Sequence, residues 1–267
     1  SSSMRRLIVA QVNDNIAPSE VGKLVLVSSV ALAKSIGGQG SMLASMYETF
    51  RKADPIGEIW CLPLHNTEGA IARGVLTLTG TATQAGVLNL YVGGVRVQAT
   101  VVNGATAAQA ATALAQKINA TADLPVSAAA AEGVVTLSAK WTGDSGNDIS
   151  LQFNRLGKSN GEDTPAGLTT AITAMTGGAG VPDQVEAIAA LGDEPFEFIA
   201  LPWSDLSTLN TWQAVMDDST GRWSWAKQLF GHVYSAKRGT VGTLVAAGQA
   251  RNDQHMTIQA LEPGVPQ

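Results

Sequence analysis

Short apolar runs alternate with amphipathic stretches in the first quarter of the chain. Leu7-Ile8-Val9-Ala10 and Leu24-Val25-Leu26-Val27 are of buried-strand type. Ser41 stands before Leu43, Met46, Tyr47 and Phe50, whose i, i+3, i+4, i+7 spacing predicts a capped helix with one apolar face, running to about Phe50. Asp54-Pro55 ends it, and residues 58–64 form a further buried-type strand. Strand, helix, strand in this rhythm predicts an α/β layer around a parallel sheet.

From Gly69 the pattern changes to Thr, Val, Ala and Gly. Strands are predicted over 75–79, 87–92 and 95–101, the last two joined by Gly93-Gly94, a two-residue hairpin signal. Thr106 and Gln109 form a T-x-x-Q capping box at the head of an Ala-rich helix whose narrow apolar stripe is Leu114 and Ile118. Strands over 134–139, 149–153 and 168–175 complete a β-rich unit, and residues 177–180 (Gly-Gly-Ala-Gly) read as a hinge or linker.

The α/β rhythm then returns. Asp183 and Glu186 mark a helix start with Val185, Ile188 and Ala189 on one face. A strand is predicted over 196–201, then a helix begun by Asp205 or Ser207 and carrying Leu209, Trp212, Val215 and Met216. A strand over 228–235, a helix over 241–250 and a strand over 256–261 finish the pattern. The expectation is a discontinuous α/β sheet domain from residues 1–68 and 179–267, with a β-rich (α+β) domain, 69–178, inserted into it.

Composition narrows the function. The 267 residues are 45% hydrophobic and 15% charged, an ordinary globular balance, and no apolar run approaches the ~20 residues of a spanning helix. Net charge is −5, and the deficit lies entirely in residues 179–267, with five basic against ten acidic side chains. Without a basic stripe, nucleic-acid binding is not expected, nor is membrane insertion. The single Cys61 sits in an apolar run and reads as a small buried hydrophobe.

Candidate chemistry is sparse. Gly143-Asp144-Ser145-Gly146 has the form of a serine-protease nucleophile loop, but His65, the only upstream histidine, has no matching context, and a polar turn explains the tetrapeptide more simply. Asp144, Asn147 and Asp148 could offer oxygens to Ca²⁺, without an EF-hand pattern. Residues 37–41 (Gly-Gly-Gln-Gly-Ser) resemble an anion-binding helix start, without the P-loop lysine, and read as a turn between two helices. His65, His232 and His255 lack zinc-ligand spacing, and Ser204 and Ser224 lack a nucleophile elbow. No catalytic, cofactor-binding or metal residue is assigned. Four of six tryptophans fall in one window, and Trp223 and Trp225 are candidate interface anchors.

Several strings carry a resemblance. Gly40-Ser41-Met42-Leu43-Ala44-Ser45-Met46, then Glu58-Ile59-Trp60-Cys61-Leu62-Pro63-Leu64, resemble the contractile tail sheath proteins of Mu-like phages. So do residues 78–86 running into Leu90-Tyr91-Val92-Gly93-Gly94, then Thr164-Pro165-Ala166-Gly167, Met175-Thr176-Gly177-Gly178-Ala179 and Ile199-Ala200-Leu201-Pro202-Trp203-Ser204-Asp205, all in order from about Arg5 to Leu261. The resemblance implies a subtilisin-like α/β domain without protease activity, a structural subunit of a virion tail assembled in the host cytoplasm. It implies hexameric rings of sheath subunits around a tail tube, above a baseplate, contracting to drive the tube through the host envelope. Against that family the chain reads as a piece lacking the terminal arms, monomeric by itself. An α/β hydrolase with a lid-like insert, or a carbohydrate-binding tail module presenting Tyr91, Trp141 and Phe153, is the alternative.

Overall fold

The computed structural model describes residues 4–262. The chain enters through β1 (Arg5–Gln11), passes a two-residue strand β2 (Val25–Leu26), and continues through α1 (Val30–Gly37), α2 (Met42–Ala53) and β3 (Glu58–Leu64). Both helices start on serine caps: the Ser29 hydroxyl accepts the Leu32 N–H at 3.1 Å, and that of Ser41 the Ala44 N–H at 3.0 Å. The Gly-rich residues 37–41 are therefore the turn between two helices. Leu43 and Tyr47 are fully buried, and the Tyr47 hydroxyl donates to the Val27 carbonyl at 2.9 Å. The apolar run at Leu24 gives only two paired residues, because β2 lies antiparallel at the sheet edge.

The β-rich unit comprises β4 (Ile71–Gly80), β5 (Gly86–Val92), β6 (Val95–Val101), α3 (Ala107–Ala120), β7 (Val126–Ala131), β8 (Val134–Thr142), β9 (Leu151–Phe153) and β10 (Leu168–Thr176). They form two antiparallel sheets, ordered β10-β4-β8-β7 and β6-β5-β9. Gly93 and Gly94 take φ of 56° and 84°, the left-handed pair that a two-residue hairpin between Val92 and Val95 needs. Both halves of the Thr106–Gln109 capping box are made. Strand β7 departs from the sequence pattern. Its run Ala128–Ala131 favours helix, yet it pairs residue for residue with β8, and the Asn119 amide holds both the N–H and the carbonyl of Ala128 at 2.8 Å.

The last segment is α4 (Val185–Ala189), β11 (Phe198–Ala200), α5 (Leu206–Val215), β12 (His232–Arg238), α6 (Val241–Gln249) and β13 (Met256–Leu261). Two expectations shift. Strand β12 starts four residues after Gln228, which is held at a left-handed φ of 52°. In α4, Val185 faces solvent and Ala187 packs inward. The six-stranded sheet is ordered β13-β12-β11-β1-β3-β2 and is parallel apart from β2. It therefore draws strands from both sides of the β-rich unit.

Three apolar clusters follow. One face of the large sheet (Leu7, Val9, Leu62, Ile199, Val233) packs on α4 and α5 through Ala187, Leu209 and Trp212. The opposite face (Ile8, Ala10, Ile59, Cys61) packs on α1 and α2. The third cluster lies wholly within the β-rich unit, around Leu76, Leu90, Leu114, Ile118 and Leu137. The expected linker at residues 177–180 is half of a paired crossing: Ala70 and Ala179 exchange both backbone hydrogen bonds, at 3.0 and 3.1 Å. Gly69 permits this at φ +148°, since a Cβ there would stand 2.0 Å from the Ala179 carbonyl oxygen.

Candidate functional site

None of the three apolar clusters crosses between the β-rich unit and the large sheet, and the contacts there are polar. The Asp14 carboxylate accepts the Thr142 N–H at 2.9 Å and its hydroxyl at 2.8 Å. Lys140 donates to the carbonyls of Gln39 at 3.0 Å and Ala122 at 2.7 Å. Lys34 pairs with Asp123 at 2.6 Å, and Arg238 with Asp148 at 3.4 Å. Partial burial pulls the Lys140 ammonium below the usual lysine range, against the attraction of Asp123. Asp144, whose N–H bonds the Gly180 carbonyl, has its carboxyl raised by burial and by the nearby Asp205.

This junction sits at the carboxyl ends of β1 and β3, where ligands enter many open α/β sheets. Gln11, Asn13 and Asn66 are buried there, and Gln11 Oε1, Asn13 Oδ1 and Asn66 Nδ2 have no protein partner. Gln11 Oε1 and Asn66 Nδ2, an acceptor and a donor, both face Gly143, a mixed pair with no single charge preference. Sequence reasoning missed these residues; polar side chains at the ends of apolar strands were the available signal.

The sequence candidates are not brought together. Ser145 accepts the Trp141 indole N–H at 3.0 Å, a packing role within a 3-10 turn. Asn147 spends its amide on the N–H and carbonyl of Gly178 at 2.8 and 2.9 Å, and Asp148 faces Arg238. Among the described residues no group of three or more His, Cys, Asp or Glu could hold a metal ion. Burial pushes the Cys61 thiol up to about 12, which makes it inert as a nucleophile near neutral pH. Among the described residues no helix is long and apolar enough to cross a membrane.

The aromatic row proposed for a carbohydrate module is corrected by burial: Tyr91 and Trp141 are buried, and Phe153 packs against the apolar cluster of the β-rich unit. Buried beside Tyr91, Glu162 accepts its hydroxyl at 2.6 Å, the Leu156 N–H at 2.9 Å and the Arg96 guanidinium at 3.2 Å. Burial raises this carboxyl, but the three donors outweigh it and hold Glu162 below the usual carboxylate range.

The tryptophan window divides sharply. Trp203 and Trp212 are core, and the Trp212 indole donates to Gln184 Oε1 at 2.7 Å. Trp223 stacks on His255 at 3.9 Å between ring centres and donates to the Gly231 carbonyl at 2.8 Å. Trp225 is 89% exposed. Around the barrel of α5 the surface is equally unfinished, because α6 buries no residue at all.

Residues 177–262 match the family model described as the phage tail sheath protein central domain. Over 243 residues, 91% of this chain, the sequence is 38% identical to the Mu-like prophage FluMu tail sheath protein of Haemophilus influenzae. Over most of its length the chain is similar to a phage tail sheath protein. It spans about half of that curated relative's length, 49%. Among solved structures it is similar to a sheath tail protein of Desulfitobacterium hafniense (14% identity, 97% of this chain and 52% of that one, TM-score 0.38). A second is a sheath tail protein of Listeria innocua (10% identity, 90% and 48%, TM-score 0.32). Tail sheath proteins are structural, not enzymatic, and the hydrolase and carbohydrate alternatives are not favoured. The sheath central-domain match covers α4 to β13, and so includes both Trp225 and α6.

Proposed function

We propose that this chain is the body of a contractile tail sheath subunit. In this reading residues 1–68 and 179–267 make one discontinuous subtilisin-like α/β domain without protease activity, and residues 69–178 are a domain inserted into it. Subunits stack as hexameric rings around the tail tube above the baseplate, in a virion tail put together in the host cytoplasm. Contraction of the sheath drives the tube through the host envelope. The single observation that carries the reading is 38% identity to a tail sheath protein over 91% of the chain. One structural feature supports it: the large sheet takes strands from both sides of the β-rich unit. Stored conformational energy, rather than nucleotide hydrolysis, drives such a device.

Gold-labelled antibodies raised against this chain test the proposal on phage particles made by the natural host. Label along the whole tail, shortening with the tail on contraction, is expected. Label confined to the head, the fibres or no particle at all would contradict it. A fluorophosphonate probe should leave every serine unmodified.

A further inference from the structure

We infer that two copies of this chain meet head to tail, with Trp225 of one seated in an apolar groove between α5 and α6 of the next. The inference rests on the sheath-subunit reading, which makes a second copy the expected neighbour, and it names the contact.

Trp225 stands in the loop between α5 and β12, fixed from beneath. Arg222 is buried and donates to the Gly192 and Glu194 carbonyls, while the Gln228 N–H returns to the Ser224 carbonyl at 2.9 Å. Trp223, stacked on His255, pins the same loop at the amino ends of β12 and β13. The indole of Trp225 is thus displayed on a held loop, and Phe230, 4.8 Å from Trp223 between ring centres, is 51% exposed. A large aromatic kept in water on a fixed support is the form of an interface anchor.

The groove lies over the second half of the same strands. Leu206, Leu209, Leu244, Ala247, Ile258 and Ala260 line a cavity of about 190 Å³. That is below the ~300–1,000 Å³ of a small-molecule site and suits one inserted side chain. Helix α6, which forms one wall, has no charged residue from Val241 to Gln249, and leaves Val241 and Val245 more than half exposed. Leu206 on the opposite wall is 69% exposed. Along β12 and β13 the groove residues Ile258, Lys237 and Ala260 stand at the level of residues 235–237, roughly 10–17 Å beyond the start of β12 at about 3.3 Å per residue.

Charge is complementary as well. Lys237 and Arg251 line the groove, whereas Asp193, Asp217 and Asp218, against Arg222 and Lys227, line the two clefts beside the loop that carries Trp225. Knob and groove are different patches of one body, so the contact either closes reciprocally about a two-fold axis at a dimer or runs head to tail; the sheath reading commits to the second. A head-to-tail contact is heterologous and propagates as a ring or a helix.

Sedimentation equilibrium tests this on the chain itself and on two variants, Trp225→Ala and Ala247→Glu. One anchor gives a weak contact, so the unaltered chain should be monomeric at micromolar concentration and form an open-ended series as it approaches about 1 mM. Each variant alone should weaken association by about tenfold or more, the loss of 1.4 kcal/mol or more. Their equimolar mixture should give a discrete dimer and nothing larger, since only one knob and one groove remain complementary. Leu206→Asp, at the exposed first position of α5, is a second groove variant that a helix start accepts. Association of Trp225→Ala equal to that of the unaltered chain, a mixture that stays monomeric, or an unaltered chain that stays monomeric at about 1 mM or stops at a closed dimer would overturn the contact. Gold label along the tail in that event would leave the sheath reading standing.

Discussion

The β-rich unit closes on itself, whereas the α/β unit is left open. Residues 71–176 share one continuous cluster in which α3 buries Ala110, Ala111, Leu114, Ala115 and Ile118 against both sheets. Their exposed apolar residues, such as Val95 and Val102, are scattered aliphatics of the kind every surface carries. The α/β unit has two smaller cores on the faces of one sheet, and between residues 185 and 245 it exposes Val185, Leu206, Trp225, Phe230, Val241 and Val245. A subunit that must join neighbours can keep its unfinished surfaces on one unit while the other stays inert. The polar junction between them allows each to keep its own core when the other is stressed.

The largest effects come from core truncation. Trp212→Ala removes a fully buried indole and its bond to Gln184, and should cost about 3–5 kcal/mol. Leu114→Ala, in the other core, should cost about 2–5 kcal/mol. Hydrogen exchange should place the first loss in the helices and strands from α4 to β13 and the second in β4 to β10. Equal loss of protection in both units from either change would break the comparison.

Thr106→Ala sharpens it next. Removing the capping box should lower stability by about 1 kcal/mol, seen as a lower denaturation midpoint with early exchange at the start of α3. Acid acts on the same unit through Glu162. Because its folded carboxyl sits below the usual range, its contribution is fully present above the unfolded value and is lost as pH falls through the folded one. Proteolysis of the loop over residues 154–165 should therefore rise as pH drops below the ordinary carboxylate range. Glu162→Gln should make the loop cleavable at neutral pH and remove that pH dependence. The smallest effect is at the junction: Lys34→Ala breaks a largely exposed pair with Asp123 and should change stability by about 0–1 kcal/mol.

Local chemistry was readable wherever one side chain decides a backbone. Ser41, Thr106 and Asp205 each cap the helix their position predicts, and Gly93-Gly94 makes its hairpin. The reading slipped where tertiary pairing overrides propensity. The alanines of β7, to which the pattern assigns no element, are held in a strand by β8 and Asn119, and Gln228 looks like strand but turns left-handed above the Trp223 loop. Trp225 stood out as a candidate anchor by residue type alone. The groove did not, because its walls come from residues 206–209, 244–247 and 258–260, which nothing in the local pattern joins. The uncharged run 241–249 was the one signal that α6 lacks both a solvent face and a covering partner.

Differential hydrogen exchange between the free natural subunit and the same subunit in an assembled sheath tests the central claim most directly. The account predicts protection gained at α6, at the first turn of α5 and in the loop carrying Trp225, with little change from β5 to β9. Protection gained chiefly within residues 86–153, with α6 and the Trp225 loop exchanging as freely as before, would contradict it.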